Sequence, residues 1–389
     1  MNLLAKTLQG LEEVLAEELK ALGAKRIKIF KRAVEFEGDK TLLYRANLEL
    51  RTAIRILMPI KTFRVRHESA LYSKIKSIDW TSYMGLKETF AIDATIHSPY
   101  FNHSKYVALK SKDAIADQFR EKFDRRPNVN IINPSLRVNI HINDDNCIVS
   151  LDSSGDSLHR RAYRQEKVEA PINEVLAAGM ILLSGWKRDC LFMDAMCGSG
   201  TLAIEAALYA YNIPPQWQRD YFCFKKWRDF DPQLWASIRE TAKNNFRKHE
   251  FPILASDLDF KAVRITERNI LTADIEGKIE VQRKKFEKLE PPQQKGILML
   301  NPPYDERLAI KDIKAFYSEI GDKLKNSFSG YEAWIISSNI PALKRIGLRP
   351  SRKISLYNGT LECKFLKFEM YDGSKKTNRK PKEDHPSES

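Results

Sequence analysis

The sequence predicts an α/β protein whose C-terminal part is a mostly parallel, doubly wound sheet, with a smaller region of short strands and few helices before it. Three observations carry this. From Gly155 onward, strand-like apolar runs alternate regularly with helix-like ones. Asn358-Gly359 joins the last two strand segments, which makes that pair an antiparallel hairpin. Before Gly155 the strand segments are short and alternate apolar with polar residues.

In chain order, LEEVLAEELKAL (11–22) sets Leu11, Val14, Leu15, Leu19 and Leu22 at helical spacing, with Gly23 as its stop. The flanking segments NLLAKTL, KRIKIF and AVEFEG read as strands and complete a small α/β unit. FAIDATIHS, RVNIHIND and NCIVSLDS are further strands, around a helix SKDAIADQFREKF whose first turn places Asp113 after Ser111 as a cap. SPYFNHSKYVALKSK crowds Tyr100, Phe101, Lys105, Tyr106, Lys110 and Lys112 together, a mixture that can stack on bases and touch phosphates. The same pattern equally fits Tyr106, Val107 and Leu109 entering a core beside solvated lysines.

In the C-terminal part, CLFMDAM, PILASD, KIEVQRK, GILMLN and YEAWIISS are strands, and TLAIEAALYAY, DFKAVRITERNI and IKDIKAFYSEIGDKLKN are helices. KISLY and LECKFLKFEMY form the closing hairpin. Residues 373–389 lack apolar content and are expected to be a disordered tail.

The formal charge is +14. Residues 1–160 carry 26 Lys and Arg against 20 Asp and Glu, and the remainder 39 against 31, so both parts suit a polyanionic partner. The five cysteines (147, 190, 197, 223, 363) are odd in number and without CxxC spacing, so neither a disulfide framework nor a metal site is expected, and a cytoplasmic setting fits. No apolar run is long enough to span a bilayer, so no membrane role is expected.

LFMDAMCGSGTLAIEAA (191–207) is a strand, an acidic residue, a Gly-Ser-Gly turn and a helix. Gly198 and Gly200 let backbone approach a ligand, and the helix from Thr201 points free N–H groups at it. By itself the turn fits a purely structural role equally well. Asp257, ending the next strand, stands where ribose hydroxyls are held. No GK[ST] follows the glycines and the spacing is not GxGxxG, which leaves an adenosine without a pyrophosphate, such as S-adenosylmethionine.

Asn301-Pro302-Pro303-Tyr304 follows the buried run GILML. Two prolines fix the backbone and remove two donors, Asn301 adds a side-chain acceptor, and Tyr304 adds an aromatic face. Together they can hold a planar exocyclic amine, although each residue also suits a plain strand-ending turn. Accepting both protons of that amine at Asn301 Oδ1 and the Pro302 carbonyl turns its lone pair toward a methyl donor. The base must then be unstacked.

GLEEVLAEELKALGAK, LRTAIRIL, SKYVALKSKDAIADQFRE, LHRRAYR with EAPINEVLAAGMILLSGW, DAMCGSGTLAIEAA and NPPYDERL stand in one order along nearly the whole chain. In that order the sequence resembles the class I methyltransferases carrying a THUMP domain, and within them the large-subunit ribosomal RNA guanine-N2 methyltransferases. The resemblance implies a ferredoxin-like unit (1–60), a THUMP RNA-binding domain (61–156) and a Rossmann-like, seven-stranded catalytic domain (157–372). It implies catalytic roles for Asn301, Pro302, Pro303 and Tyr304. Contacts to S-adenosylmethionine are implied for Pro171, Asn173, Asp194, Met196, Cys197, Gly198, Ser199, Gly200, Thr201, Asp257, Leu258 and Asn301. RNA contacts are implied for Tyr100, Lys105, Tyr106, Lys110, Lys112, Arg160 and Arg161. The implied partner is 23S rRNA or an assembling large subunit, met by a monomer or weak homodimer without metal. Lys285 departs from the family, which usually has an Asp near the adenine there. Longer relatives carry a second methyltransferase domain, so a single modification is expected. NPPY also serves adenine N6 in RNA or DNA, and a catalytically silent assembly factor is the alternative outside enzymes.

Overall fold

Strand-forming and helix-forming runs alternate along the chain and build two sheets, seen in a computed structural model that describes residues 1–164, 172–292, 295–303 and 312–371. The first part contains β1 (Asn2–Lys6), α1 (Glu12–Ala21), β2 (Lys25–Phe30), β3 (Ala33–Glu37), α2 (Lys40–Glu49), β4 (Arg55–Arg64) and α3 (Glu68–Lys76). It continues with β5 (Thr89–His97), α4 (Ser104–Phe123), β6 (Asn128–Val129), β7 (Leu136–Asn143) and β8 (Asn146–Asp152). All eight strands share one sheet in the order β2-β3-β1-β4-β8-β7-β5-β6.

β4 is what makes the sheet continuous. Its first residues pair with β1, and nearly its whole length pairs with β8. The register shifts between Pro59 and Lys61, where the proline has no N–H for the ladder. The expected division after residue 60 therefore falls inside a strand.

α4 begins at Ser104, seven residues before the expected cap at Ser111. Val107, Ser111, Ala114, Ile115 and Phe119 form one buried stripe at helical spacing, so Ser111 lies inside the helix and caps nothing. The helix ends where Asp124 turns left-handed (φ 54°).

The second part contains α5 (Glu174–Ser184), β9 (Leu191–Asp194), α6 (Thr201–Ala210), α7 (Pro232–Asn244), β10 (Ile253–Asp257), α8 (Phe260–Thr272) and β11 (Glu280–Arg283). β12 (Gly296–Leu300), α9 (Ile313–Ser327), β13 (Tyr331–Ser337), α10 (Ile340–Leu343), β14 (Arg352–Asn358) and β15 (Leu361–Glu369) follow. Their seven-stranded sheet has the order β11-β10-β9-β12-β13-β15-β14, with β15 antiparallel to β13 and β14 and the other pairs parallel. β9 and β12 are buried along their whole length, which is why both read as unbroken apolar runs. The chain leaves β9 toward β10 and β11, then crosses back to β12 on the other flank. The crevice between the carboxyl ends of β9 and β12 is thus the switch point of the sheet, where such folds bind ligands.

The two parts share buried side chains. Leu11 packs in the cluster formed by α5 and α6, and Trp235 and Ile238 of α7 pack with Leu43 and Tyr44 of α2. Arg51 Nη2 donates to the carbonyls of Leu208 (3.1 Å) and Ile213 (2.8 Å). Arg219 Nη2 donates to the carbonyls of Ser154 (3.1 Å) and Asp156 (2.7 Å).

Candidate functional site

At the switch point the register sets Met299 beside Asp194, so the turn after β9 and Asn301 after β12 face the same crevice. The turn has Gly198 at φ 55° and Gly200 at φ 79°, and a Cβ on Gly200 would stand 2.6 Å from Thr266 Cγ2. Only glycine fits there, because both the backbone and α8 exclude a side chain. The end of β10 braces the turn: Cys197 N–H donates to the Ser256 carbonyl and Gly198 N–H to Asp257 Oδ2, each at 2.9 Å. From α8, Thr266 Oγ1 and Asn269 Nδ2 donate to the carbonyls of Gly198 and Ser199, each at 3.0 Å. α6 starts at Thr201 with no side-chain cap, so the positive end of the helix faces the crevice without a capping side chain.

Asp194 is 1% exposed, and neither carboxylate oxygen has a hydrogen bond of normal geometry among the described residues. Burial, and then the charge of Asp257, push its pKa up to about 8, against the weaker opposing effect of the Ala203 and Met196 amides. A cation placed beside it restores the charged form. Asp257 is half-buried and accepts from the amides of Gly198 and Asp259. Burial raises the Cys197 thiol well above its ordinary pKa, so the cysteine in this turn is not a thiolate nucleophile.

Asn301 Oδ1 is buried and has no partner among the described residues. Pro302 is buried beside it, and the Pro303 carbonyl accepts from Tyr317 Oη (3.4 Å), which also meets Ser337 Oγ at 2.8 Å. An unmatched buried acceptor costs about 1–3 kcal/mol, so this one is suited to a donor brought by a ligand. Tyr304 and Pro171 lie outside the described residues.

Asn173 caps α5, its Oδ1 accepting from Val175 (2.9 Å) and Leu176 (3.3 Å) amides. Next to it stand two residues that the sequence reading did not single out. Arg164 donates to the Ile172 carbonyl at 2.8 Å and to Thr201 Oγ1, and it pairs with Glu174 at 3.2 Å, tying the start of α5 to the start of α6. Ser199 Oγ meets Thr201 Oγ1 at 3.3 Å. Met196 is half-buried, and Leu258 and Lys285 are exposed at the rim beyond β10 and β11. Arg164 was visible only as part of the block LHRRAYR, since nothing in an arginine's spacing reveals which hydroxyl it will reach.

On the first sheet, Tyr100, Lys105, Tyr106 and Leu109 are exposed, while Phe101 and Val107 of that run enter the core, so Phe101 is not free to stack on a base. Tyr106 Oη donates to Glu68 (2.7 Å), Arg66 lies over the Tyr100 ring, Lys110 lies over Tyr72, and Lys112 pairs with Asp113. Arg160 is exposed and pairs with Asp156 at 3.6 Å. Arg161 corrects the expectation of an RNA contact. Its side chain is 0% exposed, pairs with an equally buried Glu205 at 3.2 Å, and donates to the Arg51 and Leu158 carbonyls. A guanidinium closed in this way belongs to the join between the two parts and reaches no phosphate. Among the described residues no group of three or more His, Cys, Asp or Glu is placed to hold a metal, and no helix is long and apolar enough to cross a membrane.

Three family models match the chain: an RMKL-like methyltransferase domain over residues 161–367, a THUMP domain over 65–152 and an RlmL ferredoxin-like domain over 2–57. A Synechocystis protein described as a candidate RNA methyltransferase, slr0064, is 41% identical over 94% of this chain and 96% of its own length. The ribosomal RNA large subunit methyltransferase K/L of Syntrophotalea carbinolica is 38% identical over 93% of this chain, which spans only 52% of that relative. Among solved structures, SMU.472, described as a candidate methyltransferase and crystallised with S-adenosylhomocysteine, superposes with a TM-score of 0.86 at 29% identity. That match covers 96% of this chain and 99% of the other.

Proposed function

Since the chain belongs to the RMKL-like, THUMP-bearing methyltransferases that depend on S-adenosylmethionine, we propose that it methylates the exocyclic N2 of a guanine in large-subunit ribosomal RNA. The observation that carries this reading is the buried acceptor Asn301 Oδ1 at the switch point, beside the glycine turn and unmatched among the described residues.

The residues of the turn fit the cofactor. The glycine turn brings the start of α6 to the crevice without a side-chain cap, and Asp194 offers a buried carboxylate to a positive charge. Bound S-adenosylmethionine supplies an electrophilic methyl group on a sulfonium. Asn301 Oδ1 and the Pro302 carbonyl accept the two protons of the base amine and orient its lone pair. An aryl amine is a weak nucleophile because its lone pair is delocalised into the ring, and two fixed acceptors favour the pyramidal form that attacks. No strong base is needed first, because the amine becomes acidic as the new bond forms. Orientation and fixed dipoles then supply much of the acceleration. An RNA substrate is supported by the THUMP match, the positive charge of both parts and the exposed Tyr100, Lys105 and Tyr106.

The deciding experiment is tritiated methyl transfer to ribosomal RNA from cells lacking the gene, followed by nucleoside mass spectrometry. Methylguanosine at the N2 position is expected. Methyladenosine instead would sink the choice of base, and no incorporation would point to a silent RNA-binding protein.

A further inference from the structure

Between β6 and β7 the chain makes a tip, Asn130-Ile131-Ile132-Asn133, whose two isoleucines are 73% and 79% exposed. Adjacent β-branched residues so exposed invite a reason, because a plain loop gains nothing from holding them in water. This tip is held. Asn130 Oδ1 accepts from the amides of Ile132 (3.1 Å) and Asn133 (3.0 Å), and Arg137 Nη2 donates to the Ile131 carbonyl at 2.8 Å. The catalytic part braces the same loop. Lys226 Nζ donates to the Asn133 carbonyl (3.0 Å) and Oδ1 (2.7 Å), and Tyr221 Oη donates to the Pro134 carbonyl at 3.1 Å. The isoleucines thus project from a support built by both parts of the chain.

What would meet such a tip is decided by its size and its charge. Two side chains are far too small to anchor a protein interface, which takes about 800 Å² from each partner. They match the gap opened when two stacked bases part, where proteins insert apolar wedges between base steps. Arg125 and Arg126, just upstream, are exposed and have no carboxylate partner among the described residues, and Lys226 adds a third cation at the loop. The apolar point therefore stands among positive charge, which suits a polynucleotide backbone on either side of it.

We propose that Ile131 and Ile132 form a wedge that enters the base stack of a structured RNA and parts neighbouring bases. The inference rests on the reading of the chain as an RNA enzyme and extends it, since a base reaches the Asn301 crevice only once unstacked. The cations grip the backbone, the isoleucines replace a stacking contact, and the braced loop keeps the point from yielding.

The test uses the full chain and RNA hairpins from the large-subunit rRNA with 2-aminopurine at successive stem positions, whose fluorescence rises on unstacking. The wild type should raise it several-fold at one position. Ile131→Ser with Ile132→Ser should abolish the rise while hairpin affinity stays within about threefold, and Ile131→Leu with Ile132→Leu should restore it. An equal rise with the serine pair, or no rise under saturating wild type, overturns the wedge. So does a change of the serine pair from dimer to monomer in sedimentation, which would assign the tip to a second copy. Methylation lost with the fluorescence rise intact counts against the methylation reading alone and leaves the wedge standing.

Discussion

A buried carbonyl oxygen without a donor is a standing cost to a fold, and among the described residues Asn301 carries that cost at the switch point. Removing it tests the proposed chemistry directly. Asn301→Ala is expected to lower single-turnover methylation by about 10²–10³-fold, the usual effect of deleting one fixed dipole, with cofactor affinity by calorimetry nearly unchanged. Turnover that survives ends the amine-acceptor role. Asp194 makes a second prediction. Its carboxyl is raised to about 8 in the folded chain by burial, so between its ordinary pKa and that value the native form holds a proton which the unfolded chain has released. Stability from this group is complete in acid and declines as pH rises toward 8. The melting temperature of the cofactor-free protein should fall over that range, and Asp194→Asn should flatten the fall. At this scale the sequence was readable where chemistry is local. The glycine turn and the Asn301 amide announce themselves by residue type, whereas Arg161 and its neighbour Arg160 look alike in sequence and differ only in which one meets Glu205 in the core.

Elements were legible where one signal sufficed. Asn358-Gly359 joins β14 to β15 as expected, with Gly359 at φ 64°. The alternation after Gly155 gave a parallel sheet because β9 and β12 are buried on both faces. α4 was placed too short because Ser111-Lys112-Asp113 imitates a helix start, and burial of Ser111 against the first sheet overrides that local preference. β4 did not stand out as a strand, since Pro59 and the register shift beside it break the alternation that would reveal it. The start of α6 carries the prediction proper to this scale. Gly200→Ala must place a Cβ at φ 79° and 2.6 Å from Thr266 Cγ2. Left-handed backbone alone costs about 1–2 kcal/mol. The clash adds to it or displaces α8, so the denaturant midpoint should fall and cofactor affinity should fall with it. Full affinity in this variant would remove the turn from the cofactor site.

Over the whole molecule, the two sheets are joined by groups that cannot be exposed singly. Arg51 from the first part donates to one carbonyl in the last turn of α6 and one just beyond it, Arg161 donates back to Arg51, and Glu205 closes the set. An unmatched buried polar group costs about 1–3 kcal/mol, and removing the first part strips two at once, because the Ile213 carbonyl loses Arg51 and the Arg161 guanidinium loses the Arg51 carbonyl. Residues 157–389 produced alone are therefore expected to be poorly folded, with near-ultraviolet dichroism largely lost. The full chain should unfold in one transition, seen alike by dichroism and tryptophan fluorescence, and two separated transitions would contradict the join.

β4 carries a further consequence. Because β4 joins the two halves of the N-terminal sheet, and that sheet is bolted to the catalytic one, the described residues give no elbow between the two sheets at which to close on a ligand. On the proposed function it works as a gauge of fixed span. Any bending falls to the polynucleotide, and a base lying at the wrong reach from the contacts on the first sheet goes unmodified whatever its sequence.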